Sequence, residues 1–350
     1  MSFDATLLKY LEDEDWRVLT SVEIGMRNHE IVATELIHVI AGLRGTAHHF
    51  LDNLLRNRLL SHVGKPYDGY QLTKTGYDYL ALHTLVKRGI ISTLGSVIGQ
   101  GKEADVFSAY DAEDKPVVIK FHRIGRVSFR KAKETRDYLS NKHTSSWLYL
   151  SRLSAQREFA NLKALQDFPV PRAIEQNRHC VVMSLVPGTL LNNLQELRDP
   201  LAVFNEILDL AVRLLKVGVV HADFSEFNVL VSEDDSITLI DFPQCMKHTD
   251  PEAEDKFNHD INELRRFFGL RFDLKVDNVP LFSDFKDEIT PINLKWTRRE
   301  AQEEEEEEED IDEKIQSKVS KENRLKRKPV KKKESKTMSR LRMEVKASMD

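Results

Sequence analysis

The chain has 350 residues, 41% of them hydrophobic and 31% charged, with a formal net charge of -5 at pH 7. That length accommodates two domains and a tail, and no stretch approaches the ~18 consecutive apolar residues of a membrane span. Two cysteines, Cys180 and Cys245, exclude a disulfide framework or a four-thiolate zinc site; the N-terminus lacks the basic start and apolar core of a secretory signal, so the expectation is an intracellular, reduced protein.

Residues 1–90 read as short amphipathic helices. The apolar positions are Leu7, Leu8 and Leu11, then Trp16, Val18, Leu19, Val22 and Ile24, then Ile31 to Ile40. G-T-A-H-H-F-L-D-N-L-L-R-N-R-L-L predicts a helix over 45–57 with Thr46 as N-cap and Phe50, Leu51, Leu54 and Leu55 on one face. S-H-V-G-K-P-Y-D-G-Y-Q-L-T, with Gly64, Pro66, Asp68 and Gly69 between strand-like residues, predicts a hairpin over about 61–73. A helix from Thr73 to Arg88 closes the unit. Helices followed by a hairpin is the order of a winged helix-turn-helix, which commonly presents a helix to nucleic acid. Residues 1–89 carry ten basic and eleven acidic side chains, so the unit is no polycation, yet Arg44, Arg56, Arg58 and Lys65 cluster near the presumed contact surface. Contact with a phosphate backbone is favoured over docking to protein alone. His48 and His49 point about 100° apart on a helix and make no metal pair.

Residues 91–290 alternate strand and helix signals. S-V-I-G-Q-G-K-E-A-D-V predicts a tight strand-loop-strand turn at Gly99 and Gly101, and P-V-V-I-K-F a strand ending near Lys120. Arg123 to Lys142, with seven basic and two acidic residues and little apolar periodicity, reads as a mobile insert. Helices follow over 150–166 and Leu201 to Val217, with the strand C-V-V-M-S-L between them. A further helix lies around Phe257 to Phe268. The chain ends in a charge-segregated tail, 291–350. Residues 300–313 have eleven acidic and no basic side chains; 314–350 have fourteen basic and four acidic. Like-charge blocks cannot bury a core, so this tail is expected to be mostly disordered.

The chemistry concentrates in six features, the glycine pair counting as one. Glycines at 99 and 101 let backbone N–H groups approach phosphate oxygens. Lys120 ends an apolar strand, where an ammonium is costly without an anionic partner. Glu158, in S-R-L-S-A-Q-R-E-F-A-N-L, is placed to orient Lys120. H-A-D-F-S-E-F-N-V-L-V then supplies Asp223 and Asn228, and S-I-T-L-I-D-F-P-Q supplies Asp241. Phosphoryl transfer needs a carboxylate to take the proton of the attacking hydroxyl, and an amide oxygen and a second carboxylate to hold Mg²⁺. The order of a protein kinase is glycine-rich loop, strand lysine, helix glutamate, Asp, Asn, metal Asp, and all six occur in that order. Singly, each residue reads as a hairpin glycine, a snorkelling lysine or a solvated carboxylate; jointly they point to phosphoryl transfer.

Over about 1–275 the sequence resembles the Rio-type atypical serine/threonine protein kinases, in the subfamily with an N-terminal winged helix. D-W-R-V-L-T, G-L-R-G-T-A-H-H-F-L, Y-D-G-Y-Q-L-T-K-T-G-Y-D-Y-L-A-L, I-G-Q-G-K-E-A-D-V, K-F-H-R-I-G-R-V-S-F-R, S-W-L-Y-L-S-R-L-S-A-Q-R-E-F and I-D-F-P-Q carry the resemblance. It implies an α+β fold: a winged-helix domain (1–90), a compact two-lobed kinase-like domain (91–290, with lobes of about 91–185 and 186–290) and the charged tail. It implies ATP and Mg²⁺, with Asp223, Asp241, Lys120 and Glu158 catalytic. Gly99, Gly101, Lys102, Glu103, Val106, Lys120, Met183 and Leu185 would hold the nucleotide, and Asn228 and Asp241 the metal. Asp241 would also be a phosphoacceptor, in an enzyme that works mainly as an ATPase switch. The implied setting is late maturation of the 40S ribosomal subunit precursor, with rRNA and ribosomal proteins as partners, no membrane, and a cytoplasmic location with passage through the nucleus. A catalytically silent nucleotide-binding scaffold on the same particle is the alternative. Three positions depart from the family pattern: Ala222 where glycine is usual, Ser184 where an acidic residue is common in the hinge, and Ala104 for the third loop glycine. If the family glycine uses a positive φ, Ala222 is strained.

Overall fold

The computed structural model describes residues 6–43, 45–124 and 147–292. The N-terminal unit contains helices α1 (Leu7–Tyr10), α2 (Asp13–Gly25), α3 (Thr34–Ala41) and α4 (His48–Arg56). An antiparallel hairpin of β1 (Leu60–Val63) and β2 (Gly69–Leu72) follows, then helix α5 (Lys74–Lys87). Trp16, Val18, Leu19 and Val22 of α2 pack with Ile37, Leu51, Leu54, Leu60, Leu72 and Leu80 into one core. Thr73 caps α5, its hydroxyl accepting from the Gly76 amide at 3.0 Å. Gly76 is required by contact: a Cβ there would stand 2.1 Å from the Leu59 carbonyl oxygen.

A five-stranded antiparallel sheet follows, in the order β3-β4-β5-β7-β6. Its strands are β3 (Thr93–Gln100), β4 (Ala104–Tyr110), β5 (Pro116–His122), β6 (Ala173–Asn177) and β7 (Cys180–Ser184), with helix α6 (Trp147–Ala164) between β5 and β6. Alternate residues of a strand face opposite sides, and β5 uses both. Val117, Ile119 and Phe121 meet Ala81, Leu82 and Leu85 of α5, whereas Val118 joins the core containing Ala155 and Leu162 of α6. Helix α5 thus contributes Tyr77, Tyr79 and Leu80 to the N-terminal core and its last turns to the sheet core.

The larger lobe contains β8 (Thr189–Leu190), α7 (Pro200–Lys216), β9 (Val219–Val220), β10 (Val229–Val231), β11 (Ile237–Leu239), β12 (Met246–Lys247) and α8 (Ala253–Phe272). Strands β8, β10 and β11 form one small antiparallel sheet and β9 pairs with β12. Asp199 caps α7 by accepting from the Ala202 amide at 3.0 Å, and Pro200 opens the helix, where its missing N–H is harmless. Val203, Phe204, Ile207, Leu210, Ala211 and Leu214 form the buried stripe of α7 against Phe257, Ile261, Leu264 and Phe268 of α8.

Three local expectations are corrected. Thr46 does not cap α4; Ala47 occupies the cap position without a side-chain bond and is buried in the N-terminal core. Ile31 and Val32 are not helical. Val32 exchanges backbone hydrogen bonds of 2.9 Å with Tyr70 and lies along the hairpin, so α3 starts only at Thr34. Arg123 is no part of a mobile insert. It is buried, with Asp78, Asp105 and His179 around its guanidinium, and Ile124 beside it is buried too. The rest of that insert, the 291–350 tail after Ile292, and Arg44 lie outside the described residues.

Candidate active site

The features singled out in the sequence fall into three groups: Lys120, Glu158 and Asp241 meet directly, Asp223 and Asn228 share a loop in which the Asn228 backbone carbonyl accepts from the Ile240 amide at 2.9 Å, and the glycines lie at the β3–β4 end of the sheet. Lys120 sits on β5 in register with Val106 on one side and Val181 on the other. Its ammonium donates to Glu158 Oε1 of α6 at 2.7 Å and to Asp241 Oδ1 at 2.7 Å. Burial opposes the charge on Lys120, but the Asp241 and Glu158 carboxylates overcome it and raise its pKa. Burial likewise opposes ionisation of Glu158, and Lys120 with His122 reverses that, holding the carboxyl well below its usual range.

Of the two glycines expected in the turn between β3 and β4, Gly99 is still in β3, paired with Val106, and only Gly101 lies in the turn itself, its N–H donating to the Ala104 carbonyl at 2.8 Å. Lys102 is exposed there, Glu103 and Val106 are half-buried, and the Glu103 carbonyl accepts from the Arg123 amide at 2.6 Å. In the hinge, Met183 is buried and Leu185 is 41% exposed. Ser184 uses its hydroxyl to accept from the Arg172 amide at 2.9 Å, a bond across the open end of the β6–β7 hairpin.

Asp223 and Asn228 occupy one loop between β9 and β10. The Asn228 amide nitrogen donates to the Asp223 carbonyl at 2.8 Å and to its Oδ2 at 3.2 Å, and Gln244 donates to the same Oδ2 at 3.2 Å. With that nitrogen committed, the Asn228 amide oxygen is the atom left to face a ligand. The hard oxygens of Asn228 and Asp241 are of the type that holds Mg²⁺, which completes its shell with phosphate and water rather than an all-protein cage. The residues present therefore fit a phosphate-bound Mg²⁺.

Four supporting residues escaped the sequence reading. Arg157 and Asn161 of α6 donate to the Cys245 and Phe242 carbonyls, at 2.7 and 2.8 Å, and hold the segment after Asp241. His122, two residues beyond Lys120 on the same face of β5, approaches Glu158 Oε2 at 2.7 Å. Asp260 of α8 accepts from the backbone amides of Phe224 and Ala222 in the loop that carries Asp223. His221 opens that loop as a packing residue. Its ring lies 5.1 Å from Phe242 and 5.6 Å from Phe224, and burial lowers its pKa to about 4, so it is neutral.

Ala222 has φ = 64°, the left-handed region that the glycine substitution left in question. An L-residue there costs about 1–2 kcal/mol. Ala222→Gly is expected to raise unfolding free energy by about 1 kcal/mol, measurable by urea denaturation; a loss of stability would mean that the methyl packing outweighs the strain.

Asp260 gives the site a pH signature. Burial pushes its carboxyl up to about 7, against the pull of the two amides, with the nearby Asp223 charge adding to the rise. The folded state then binds this proton more tightly than the unfolded chain, where an aspartate titrates near 3.8. Stability is therefore lost as pH rises across the window from 3.8 to about 7. Asp260→Asn is expected to flatten that loss, read from urea midpoints at about pH 5 and about pH 8; an unchanged slope would assign the effect elsewhere.

Comparison with known proteins fits this geometry. The RIO domain family matches residues 105–279, and the Rio2 N-terminal family matches residues 8–88. A serine/threonine-protein kinase rio2 of Dictyostelium discoideum is 45% identical over 287 residues, 81% of this chain and 55% of the relative. The rio2 kinase of Schizosaccharomyces pombe is 43% identical over 79% of this chain and 81% of its own length. The RIO-type kinase Rio2 of Methanocaldococcus jannaschii is 36% identical over 75% of this chain and 98% of its own. The chain spans about half the length of the Dictyostelium and Caenorhabditis elegans relatives. Among solved structures, the Rio2 kinase-ADP/Mg²⁺-phosphoaspartate complex from Chaetomium thermophilum superposes with a TM-score of 0.75 at 39% identity, covering 91% of this chain and all of that one. The chain belongs to the RIO family, in its Rio2 branch.

Proposed function

We propose that the chain is an atypical serine/threonine kinase that turns over Mg-ATP, working mainly as an ATPase switch in late maturation of the small ribosomal subunit precursor. The observation that carries the enzymatic reading is the Lys120 ammonium held between Glu158 and Asp241 in the same cleft as Asp223 and Asn228. The neighbouring Chaetomium structure, with its ADP, Mg²⁺ and phosphoaspartate, supports the choice of ligands and of an aspartate as acceptor, for which we take Asp241. In this reading Gly99, the Gly101 turn and Lys120 bind the phosphates, Val106 and the Met183–Leu185 backbone bind adenine, and Asp223 orients the attacking group and takes its proton. Asn228 and Asp241 would hold Mg²⁺, which would supply positive charge against the transferring phosphoryl group. When Asp241 is the acceptor, its carboxylate oxygen bonds to the γ-phosphorus as the β–γ bridging P–O bond breaks. ADP leaves with that electron pair, and water then hydrolyses the acyl phosphate and restores Asp241.

The ribosomal setting rests on family membership and on exposed Arg56, Arg58 and Lys65 around the N-terminal hairpin, which suit RNA phosphates. A cytoplasmic location follows from that assignment. No described helix is long and apolar enough to cross a membrane. The test is incubation of the protein with Mg²⁺ and γ-labelled ATP, with and without purified pre-40S particles, following free phosphate and label on the chain. A hydroxylamine-labile label is expected on the wild type and is expected to vanish in Asp241→Asn. Tight nucleotide binding without turnover, even on the particle, would favour the scaffold alternative.

A further inference from the structure

His122 lies beyond the set of six, yet it touches one of them. It is 2% exposed, on the face of β5 that carries Lys120, and its amide is fixed by donation to the His179 carbonyl at 2.9 Å. Glu158, 1% exposed, meets it from α6: Nε2 stands 2.7 Å from Oε2, an oblique close approach. On the far side of the ring, Ser154, one helical turn before Glu158, places its hydroxyl 3.0 Å from Nδ1. Oε1 of Glu158 accepts from Lys120 and, at 3.4 Å, from the Phe242 amide, while Oε2 faces His122 in a contact too oblique for a hydrogen bond.

The chemistry of these groups settles the proton inventory. Burial lowers the pKa of His122, so the ring is neutral and carries one N–H. Glu158 is ionised and can only accept, so that proton belongs on Nε2, leaving Nδ1 to accept from the Ser154 hydroxyl. With Oε1 bound and Oε2 hemmed in by the His122 ring, the terminal torsion of Glu158 has little room to turn.

We propose that His122 is a positioning residue that, together with Ser154, locks the Glu158 carboxylate into register for Lys120 and so holds α6 against β5 in the catalytically competent arrangement. The catalytic consequence rests on the phosphoryl-transfer reading above; the lock itself is a property of the chain. Losing one of the two anchors lets Glu158 rotate and Lys120 drift toward Asp241. A misplacement of about 1 Å in such a constellation lowers turnover by about 100-fold.

The experiment has two arms. In the first, ¹⁵N-detected NMR of the full chain, with the His122 signals assigned by their loss in His122→Gln, reads the ring tautomer without nucleotide. A neutral Nε2–H ring at neutral pH is expected; a dominant Nδ1–H tautomer or an imidazolium overturns the proposal. In the second, Mg-ATP turnover and nucleotide affinity are compared for wild type, His122→Leu, His122→Gln, Glu158→Gln and the His122→Leu/Glu158→Gln double variant. His122→Leu is expected to lower kcat by about 10- to 100-fold. His122→Gln, whose amide can reach both partners, is expected to recover most of that loss. The double variant is expected to be no worse than Glu158→Gln alone. Equal kcat in wild type and His122→Leu, or multiplicative losses in the double variant, overturns the proposal. Because His122→Leu sits in a packed interior, Ser154→Ala provides a milder probe of the same anchor: it is expected to keep the melting temperature and still lower kcat, and an unchanged kcat there counts against the lock. A wild type that binds nucleotide without turnover refutes the enzymatic reading; the tautomer then decides the lock on its own.

Discussion

Asp78→Ala is expected to destabilise the fold by about 3–5 kcal/mol, the range for breaking a buried ion pair from one side. Asp78 lies on α5 of the N-terminal unit, and its carboxylate receives Arg123 Nη2 at 2.8 Å while its Oδ1 lies 2.7 Å from His179 Nε2. Arg123 also reaches Asp105 Oδ2 on β4 at 2.9 Å, and all of these residues are buried. Burial works against the guanidinium charge, and the two aspartates outweigh it. Removing Asp78 leaves that cation with half its compensation in a place water does not reach. Whole domains are stable by only about 5–15 kcal/mol, so a large share of the total is at stake, and the melting temperature should fall by about 10 °C. The same change at Asp209, whose i,i+4 pair with Arg213 is solvent-exposed, should be lost in the error of the measurement. Thermal and urea unfolding of both variants decide the matter; an Asp78→Ala loss as small as that of Asp209→Ala would mean that Asp105 alone satisfies Arg123.

Asp223→Asn is expected to lower Mg-ATP turnover by about 10²–10⁴-fold, the usual contribution of a positioned general base, with nucleotide affinity and melting temperature nearly unchanged. Asparagine retains a carbonyl oxygen for the amides of Asn228 and Gln244, so the loop loses little structure. What disappears is the Asp223 carboxylate, the group assigned to take a proton from an attacking hydroxyl or water. Steady-state phosphate release paired with calorimetric nucleotide binding separates these effects. Turnover within about threefold of wild type would remove Asp223 from the role of base.

Much of the site was legible because its chemistry is carried by short local runs in a fixed order. I-G-Q-G, V-V-I-K, H-A-D-F-S-E-F-N and I-D-F-P-Q each place their polar residue at the edge of an apolar element. The strand or helix that delivers it could therefore be read with it. His122 was quoted in the same run as Lys120 and passed over, although i and i+2 of one strand share a face. Asp260 left a fainter trace. With Phe257, Ile261 and Leu264 it falls on the helical spacing of the buried stripe, where a carboxylate demands a reason. The Asp78–Arg123–Asp105–His179 network left none, since its members come from four separate elements and only packing brings them together. Thr46 shows the opposite failure. Its local propensity as a cap was sound, yet the helix starts one residue later, with the buried Ala47 at the cap position.

Helix α5 serves two hydrophobic cores, one on each side of its own axis. A chain cut near residue 90 would strip the sheet of Ala81, Leu82 and Leu85 and bare Phe107, Ile119 and Phe121 to water, an apolar face of the kind that drives aggregation. The N-terminal unit is accordingly no tethered passenger. It should melt with the sheet in a single calorimetric peak, and any partner that tilts α5 must carry the roof of the cleft along with it.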